Sequence, residues 1–167
     1  MCTFYHASNK NYTNEQEVSI NDFVGNTTCD YERRTKEEKL VYDLLDGVRP
    51  NGVISRKKCI YLFRELSLCQ AYARSEHINH VYEVKCNDDD LWGPYPMTLV
   101  NTIFTCNNEE SKAEVIQEYW HSTHNWKVHE YLVSSFTVIQ EIQKGSGVIT
   151  DDHIDDIQLS QKLYGFN

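Results

Sequence analysis

The sequence predicts an α+β fold, with strands and helices mixed along one globular chain. The 167 residues are 40% hydrophobic and 12% aromatic, an ordinary composition for a chain that buries its own core. Strand-like and helix-like segments follow one another without the regular alternation of a parallel α/β sheet. The segment FYHAS, residues 4–8, also lacks the glycine pattern of a dinucleotide-binding turn.

Strands are predicted where β-branched and aromatic residues cluster or apolar positions alternate. These segments are residues 2–8, 59–63, 80–86, 98–106, 127–133 and 136–143. Residues 9–34 are polar and irregular apart from an apolar island at 20–24, and residues 88–96 are rich in acidic and turn-forming residues. Both segments are predicted as loops.

Helices are predicted where a Ser or Thr is followed three positions later by Glu or Gln, the pattern of a capping box. The pairs are Thr35 with Glu38, Ser67 with Gln70, and Ser111 with Glu114. They predict helices over residues 36–46, 67–77 and 112–122, the first of which is followed by Gly47 as a stop signal. The predicted domain covers residues 1–143, and residues 144–167 form an acidic tail that is expected to dock weakly.

Charge and composition exclude several classes of function. Sixteen basic and 25 acidic residues give a net charge of −9, which repels phosphate backbones and argues against a nucleic-acid reader. No apolar stretch reaches membrane length and the N-terminus lacks a signal peptide, so a cytoplasmic protein without a membrane partner is expected. The six irregularly spaced cysteines are expected to be buried thiols.

The segment CIYLFRELSLCQAY, residues 59–72, carries the first indication of function. It predicts a buried strand with Tyr61 and then a helix with Tyr72. Both rings can face one cleft at the junction between the strand and the helix. A flat, electron-poor ring would stack between them, and each such contact contributes about 1 kcal/mol beyond the burial of area.

This arrangement resembles the nicotinamide-binding segment of the ADP-ribosyltransferase superfamily. In the diphtheria-toxin-like and poly(ADP-ribose) polymerase-like branch, a strand Tyr is followed by a Ser and a second Tyr, which here are Tyr61, Ser67 and Tyr72. That branch also uses a His on the first strand and a Glu at the start of a late strand, matched by His6 in FYHAS and Glu130 in HEYLV. The resemblance covers residues 3–143 and extends to bacterial and phage domains related to rifampin ADP-ribosyltransferases.

The resemblance implies a split, twisted, mostly antiparallel sheet with a cleft for NAD. It implies a mono-ADP-ribosyltransferase that uses NAD as co-substrate and modifies a macromolecule. A protein is the expected acceptor, and nucleic acid enters only as an alternative acceptor. A bacterial or phage effector that acts in the cytoplasm, or in the cytosol of a host, fits the size and the related domains.

The resemblance also implies roles for individual residues. Glu130 would stabilise the oxocarbenium-like ribose that develops as nicotinamide leaves, and this assigns it as the catalytic residue. Tyr61 and Tyr72 would hold the nicotinamide ring between them. His6 would form a hydrogen bond with the adenosine-side ribose and position the dinucleotide.

Two further residues carry alternatives. Ser67 either contacts the nicotinamide amide or caps its helix, and the capping box favours the cap. Arg56 meets the pyrophosphate or the acceptor, or is an exposed charge beside a turn. Val128 stands where arginine-modifying members carry Glu or Gln, and Ala7 replaces the glycine that follows the family's motif histidine. The Val128 difference disfavours the modification of arginine.

Two competing interpretations remain. His121, His124 and His129 lie close together in the sequence beside Glu130, as zinc ligands would, but their spacing crosses a helix end and a loop without a Cys pair, and no metal is expected. The second interpretation is a catalytically silent module with the same fold, which binds NAD, ADP-ribose or a partner protein.

Overall fold

A computed structural model describes residues 3–23, 31, 34–145 and 147–165 of the chain, and it has the predicted α+β architecture. Two antiparallel sheets and five α-helices make up its regular structure within these residues. The strands are β1 Thr3–Ser8, β2 Glu17–Ser19, β3 Ile60–Leu62, β4 His80–Lys85, β5 Leu91–Pro96, β6 His129–Val133 and β7 Ser135–Ile142. The helices are α1 Lys36–Gly47, α2 Leu66–Ser75, α3 Thr98–Thr105, α4 Glu109–His121 and α5 Asp151–Tyr164.

A β-bridge at the residue that follows β3 connects the two sheets. One sheet has the order β1-β4-β7-β2 and the other β3-β6-β5, with antiparallel pairing throughout. Tyr5 of β1 and Phe63 form an isolated antiparallel bridge, with N–H to carbonyl distances of 2.8 and 2.9 Å. This bridge places β1 beside the end of β3, so the first strand of the chain borders the smaller sheet.

Two apolar cores lie on opposite sides of the strands. The short strand β3 shows the division, because Tyr61 belongs to the larger core while Ile60 and Leu62 belong to the smaller one. All three residues are buried, since the strand is covered on both faces. Burial on both faces explains why this segment appears as a continuous apolar run in the sequence.

The predicted capping boxes had mixed outcomes. Thr35 and Glu38 form the reciprocal bonds of a capping box at the start of α1, as predicted. The other two predictions are wrong. Ser67 lies inside α2, which begins one residue earlier without a side-chain cap, and Ser111 lies inside α4, whose N-cap is Asn108. A pattern of two residues three positions apart also occurs within helices, and this caused both errors.

Two assignments between residues 88 and 106 are wrong. The predicted loop 88–96 contains β5, and the predicted strand 98–106 is the helix α3. Leu99, Thr102 and Ile103 of α3 are buried at the spacing of one helix face, so packing of this face outweighs the β-branched composition. The predicted loop 9–34 also contains β2 and a short 3₁₀ turn, Ile20–Phe23. Its residues 24–30 and 32–33 lie outside the described residues.

The C-terminal segment does not match the expectation of a weakly docked tail. Residues 151–164 form α5, and Asp156 and Ser160 of this helix are buried. The Asp156 carboxylate accepts hydrogen bonds from the backbone N–H groups of Lys127, at 3.0 and 3.2 Å, and of Val128, at 2.8 Å. The Ser160 hydroxyl lies 2.6 Å from that of Thr102 on α3. The helix therefore supports the chain immediately before β6.

Four cysteines confirm the expectation of buried thiols. Cys59, Cys69, Cys86 and Cys106 are free and buried, while Cys2 and Cys29 lie outside the described residues. Among the described residues, no helix combines the length and the apolar character needed to cross a membrane.

Replacing Asp156 with Ala should lower the free energy of unfolding by about 3 kcal/mol, because two backbone N–H groups, one buried and one partly buried, lose a charged acceptor. Asp155→Ala provides the matched control, since the exposed Asp155 is one position away and pairs with the Lys127 ammonium, a surface contact worth less than about 1 kcal/mol. Urea denaturation of both variants measures the difference. Equal losses would show that α5 is not held by the buried carboxylate.

Candidate functional site

The register of the smaller sheet places Tyr61 and Glu130 on the same face. Tyr61 of β3 lies opposite Leu132 of β6, and partners across an antiparallel pair project to the same side. Glu130 is two positions before Leu132, so its side chain also projects to that side. On the other side of β6, Gly93 of β5 approaches so closely that a Cβ there would lie 3.1 Å from the Glu130 carbonyl oxygen.

A cavity of about 240 Å³ opens on this face, between β3 and β6 on one side and α1, α2 and α3 on the other. It contains four of the six residues that the sequence predicts for the site, Arg56, Tyr61, Tyr72 and Glu130. The remaining lining residues are Arg34, Glu38, Val41, Tyr42, Ser75, Glu76, Met97, Val100, Asn101 and Phe104. The cavity thus combines aromatic rings with charged groups, as ligand sites commonly do.

A buried ion pair forms the base of the cavity. Nη1 of Arg56 donates to Oε1 of Glu130, and the two residues are 2% and 4% exposed. The hydroxyl of Tyr119 on α4 donates to the same oxygen at 2.8 Å and accepts a further bond from Arg56 Nη1. Among the described residues, the two side-chain hydrogen bonds to Glu130 both use Oε1, so Oε2 is the oxygen that remains for a ligand.

Three tyrosine rings surround the guanidinium of Arg56. Its central carbon lies 5.2 Å from the ring centroid of Tyr42, 5.0 Å from that of Tyr61 and 5.1 Å from that of Tyr119. Each distance is within the range of a cation–π contact. Burial opposes the charge of Arg56, but Glu130 and the surrounding tyrosines hold its pKa well above the usual range. The guanidinium is therefore a fixed cation against the face of Tyr61.

Local backbone contacts direct Arg56 inward. Its N–H donates to Asp46 Oδ1 of α1 at 3.0 Å, and its carbonyl oxygen accepts from the Tyr61 hydroxyl at 2.9 Å. The interpretation of Arg56 as an exposed charge beside a turn is wrong, because these contacts turn the side chain into the cavity. Arg56 Nε is the one buried side-chain polar atom without a hydrogen-bond partner in the part of the chain that the structure describes.

A second group of charged side chains lies in the lining of the cavity. Arg34 pairs with Glu76 at the end of α2, at 3.1 Å, and with Glu38 of α1, at 3.5 Å. These three residues link α1 and α2 across the cavity lining. Each of the two arginines in the lining therefore has a carboxylate partner within the same lining.

The two residues predicted on α2 have different positions. Tyr72 lines the cavity, and its ring packs against Phe63 with the centroids 5.1 Å apart. Ser67 is not among the lining residues, and its predicted role as the N-cap is wrong because it lies inside α2. The structure brings Tyr72 to the site and leaves Ser67 outside it.

His6 lies behind Tyr61 and is not among the residues that line the cavity. Because Tyr5 pairs with Phe63, these two side chains project to the same face of the sheet. The adjacent His6 projects to the face opposite to that of Tyr5. Its Nδ1 donates to the Tyr61 carbonyl oxygen at 3.0 Å, and its ring lies 4.9 Å from that of Phe136. Burial lowers the pKa of His6 to about 4, although the bond to Tyr61 acts in the opposite direction. The contact with Tyr61 is through the backbone.

The segment that carries His124, residues 123–126, closes around Glu118. This buried carboxylate accepts bonds from the backbone N–H groups of Thr123 and His124 and from Trp126 Nε1, at 2.8 to 2.9 Å. Burial alone would raise the pKa of Glu118, but the hydrogen bonds lower it to about 2. Within the described residues, no group of three His, Cys, Asp or Glu side chains is placed to hold a metal ion.

Sequence reasoning missed Tyr42, Tyr119 and Arg34. Tyr42 and Tyr119 lie on the apolar faces of α1 and α4, where their spacing indicates core packing and does not identify the residue that the hydroxyl contacts. Arg34 belongs to the cationic run ERR, which has the pattern of a solvated surface. A tyrosine on an otherwise apolar helix face is the available signal, because a buried hydroxyl needs a polar partner.

Comparisons of the chain with protein-family models, with curated proteins and with solved structures found no match. The case for a function is therefore based on the geometry of the cavity and on the motif resemblance.

The low pKa of His6 predicts an acid-sensitive fold. Between pH 6.5 and pH 4 the unfolded chain binds a proton at His6 that the folded chain does not, so stability is lost as the pH falls through this window. The loss in the free energy of unfolding should reach about 3 kcal/mol at pH 4. Replacing His6 with Asn should remove it, so that urea unfolding of this variant depends less on pH than that of the wild type.

The exposed His77 provides the control, because Asn tolerates its positive φ of 55°. His77→Asn should keep the pH dependence of the wild type. An unchanged dependence in His6→Asn would show that this imidazole titrates normally.

Proposed function

We propose that the chain is an ADP-ribosyltransferase-like protein whose two sheets form the split sheet of that superfamily. Its proposed reaction is the transfer of one ADP-ribose unit from NAD to a macromolecule, for which a protein is the expected class. One observation carries the proposal: Tyr61, Tyr72 and Glu130, which come from β3, α2 and β6, line the same cavity. The motif resemblance requires this convergence, and neither the composition nor the length of the chain does.

The cavity has groups for the parts of the substrate that react. Its volume of about 240 Å³ suits nicotinamide and its ribose and leaves the rest of the dinucleotide along the opening. As the bond between the nicotinamide nitrogen and the anomeric carbon breaks, nicotinamide leaves with the electron pair. The acceptor nucleophile then bonds to that carbon and releases its proton. Oε2 of Glu130 would bind a ribose hydroxyl and stabilise the developing positive charge.

Glu130→Gln should reduce nicotinamide release from NAD at least about 100-fold while leaving the Kd for NAD within about twofold, because the positive charge on ribose appears only in the transition state. Chromatographic assay of nicotinamide, with and without a lysate as the source of acceptors, gives the rate. Fluorescence or calorimetric titration gives the Kd.

Two further variants keep this test interpretable. Glu130→Gln leaves Arg56 charged and unpaired in a buried site, so circular dichroism must first show that the variant is folded. Glu130→Asp keeps the charge but shortens the side chain, and it should also lose activity. Glu141→Gln, which alters an exposed glutamate on β7, should retain the wild-type rate. Full turnover by Glu130→Gln would contradict the proposal.

The ion pair favours a second candidate function, a silent module that binds NAD, ADP-ribose or a partner protein. The Arg56 guanidinium already lies against Tyr61, where a cationic nicotinamide ring would stack, and it neutralises the charge of Glu130. A site in this state offers less stabilisation to an oxocarbenium ion than an unpaired carboxylate would. Binding can persist without catalysis under these conditions.

Calorimetric titration with NAD and with ADP-ribose tests the second candidate. A silent module should bind at least one of them without releasing nicotinamide, and Tyr72→Ala should weaken binding about 2- to 10-fold through the loss of one stacking face. Tyr164→Ala is the control, because Tyr164 borders a separate hollow beside Glu118. If neither nucleotide binds, the nucleotide-binding form of the module is excluded.

A further inference from the structure

Tyr119 is held rigidly in the larger apolar core. It is fully buried on α4, and its ring stacks on Tyr95 with centroids 5.2 Å apart and planes inclined by 24°. Trp120 packs edge-on against the same ring at 4.8 Å. A side chain confined in this way cannot move its hydroxyl without disturbing the core, so the position of that oxygen is fixed by the fold.

The hydroxyl of Tyr119 is not required for this packing. A phenylalanine would make the same ring contacts, and a buried hydroxyl without a partner would destabilise the core. The partners of this hydroxyl are two residues of the cavity, since it donates to Glu130 Oε1 and accepts from Arg56 Nη1. The hydroxyl oxygen that α4 places in the core therefore forms hydrogen bonds with both residues of the ion pair.

We propose that the Tyr119 hydroxyl is a positioning group for Glu130, which holds Oε1 so that Oε2 is presented to a ligand in the cavity. The ion pair with Arg56 alone leaves the carboxylate free to rotate about its last bond, because a single donor atom accommodates either oxygen. The Tyr119 hydroxyl is a second donor, which comes from a different element and is attached to a rigid ring. It fixes which carboxylate oxygen of Glu130 faces the two donors. The inference rests on the proposed function for its catalytic consequence, while the geometric claim applies to either candidate function.

Tyr119→Phe tests the inference, and Tyr95→Phe is the matched control. Both changes remove one hydroxyl from the same stack of buried rings, but Tyr95 lies outside the cavity lining and its hydroxyl forms no hydrogen bond with the described residues. Tyr119→Phe should lower kcat for nicotinamide release about 10- to 100-fold with KM for NAD nearly unchanged. Tyr95→Phe should behave as the wild type.

A second measurement keeps the outcome independent of catalysis. Crystal structures of both variants should show the Glu130 carboxylate rotated in Tyr119→Phe and unchanged in Tyr95→Phe. If the wild type releases no nicotinamide, the proposed enzymatic function fails and these structures alone decide the inference. An unmoved carboxylate in Tyr119→Phe, or equal kinetic losses in the two variants, would overturn it.

Discussion

The buried pair of Arg56 and Glu130 is the interaction on which the candidate site depends. Two charges removed from water are unfavourable unless close pairing and further hydrogen bonds compensate for the lost hydration. The chain supplies this compensation from separate elements: the hydroxyl of Tyr119 and three aromatic faces around the guanidinium. Any rearrangement of these elements would leave a charge unpaired in the core, so the pair fixes their relative positions.

The same pair determines what the cavity can accept. A lone carboxylate between tyrosines would attract a planar cation, but here a planar cation of the chain itself already occupies that position. A ligand must therefore share the ring of Tyr61 with Arg56 or displace the guanidinium from it. The buried Nε of Arg56, which has no partner among the described residues, is the atom whose pairing would improve if the side chain moved.

Elements that a local sequence pattern marks could be predicted from the sequence. Contacts that depend on how separate elements pack could not. The apolar run at Tyr61 and the capping box at Thr35 gave β3 and α1 correctly because their signals are local. The strand predicted over residues 98–106 is a helix over residues 98–105, because β-branched residues also fit a buried helix face, which only tertiary packing selects. The direction of the Arg56 side chain into the cavity depends on backbone contacts with Asp46 and Tyr61. The sequence pattern, a turn followed by basic residues, does not indicate these contacts.

The support that Asp156 gives to the chain before β6 changes where this protein can be divided. Two peptide N–H groups, those of Lys127 and Val128, depend on a carboxylate from the last helix of the described chain, and Glu130 follows two residues later. The shortest fragment that keeps the cavity intact therefore extends through α5. A fragment that stops at residue 143, where the motif resemblance ends, would lack the anchor of its own central strand.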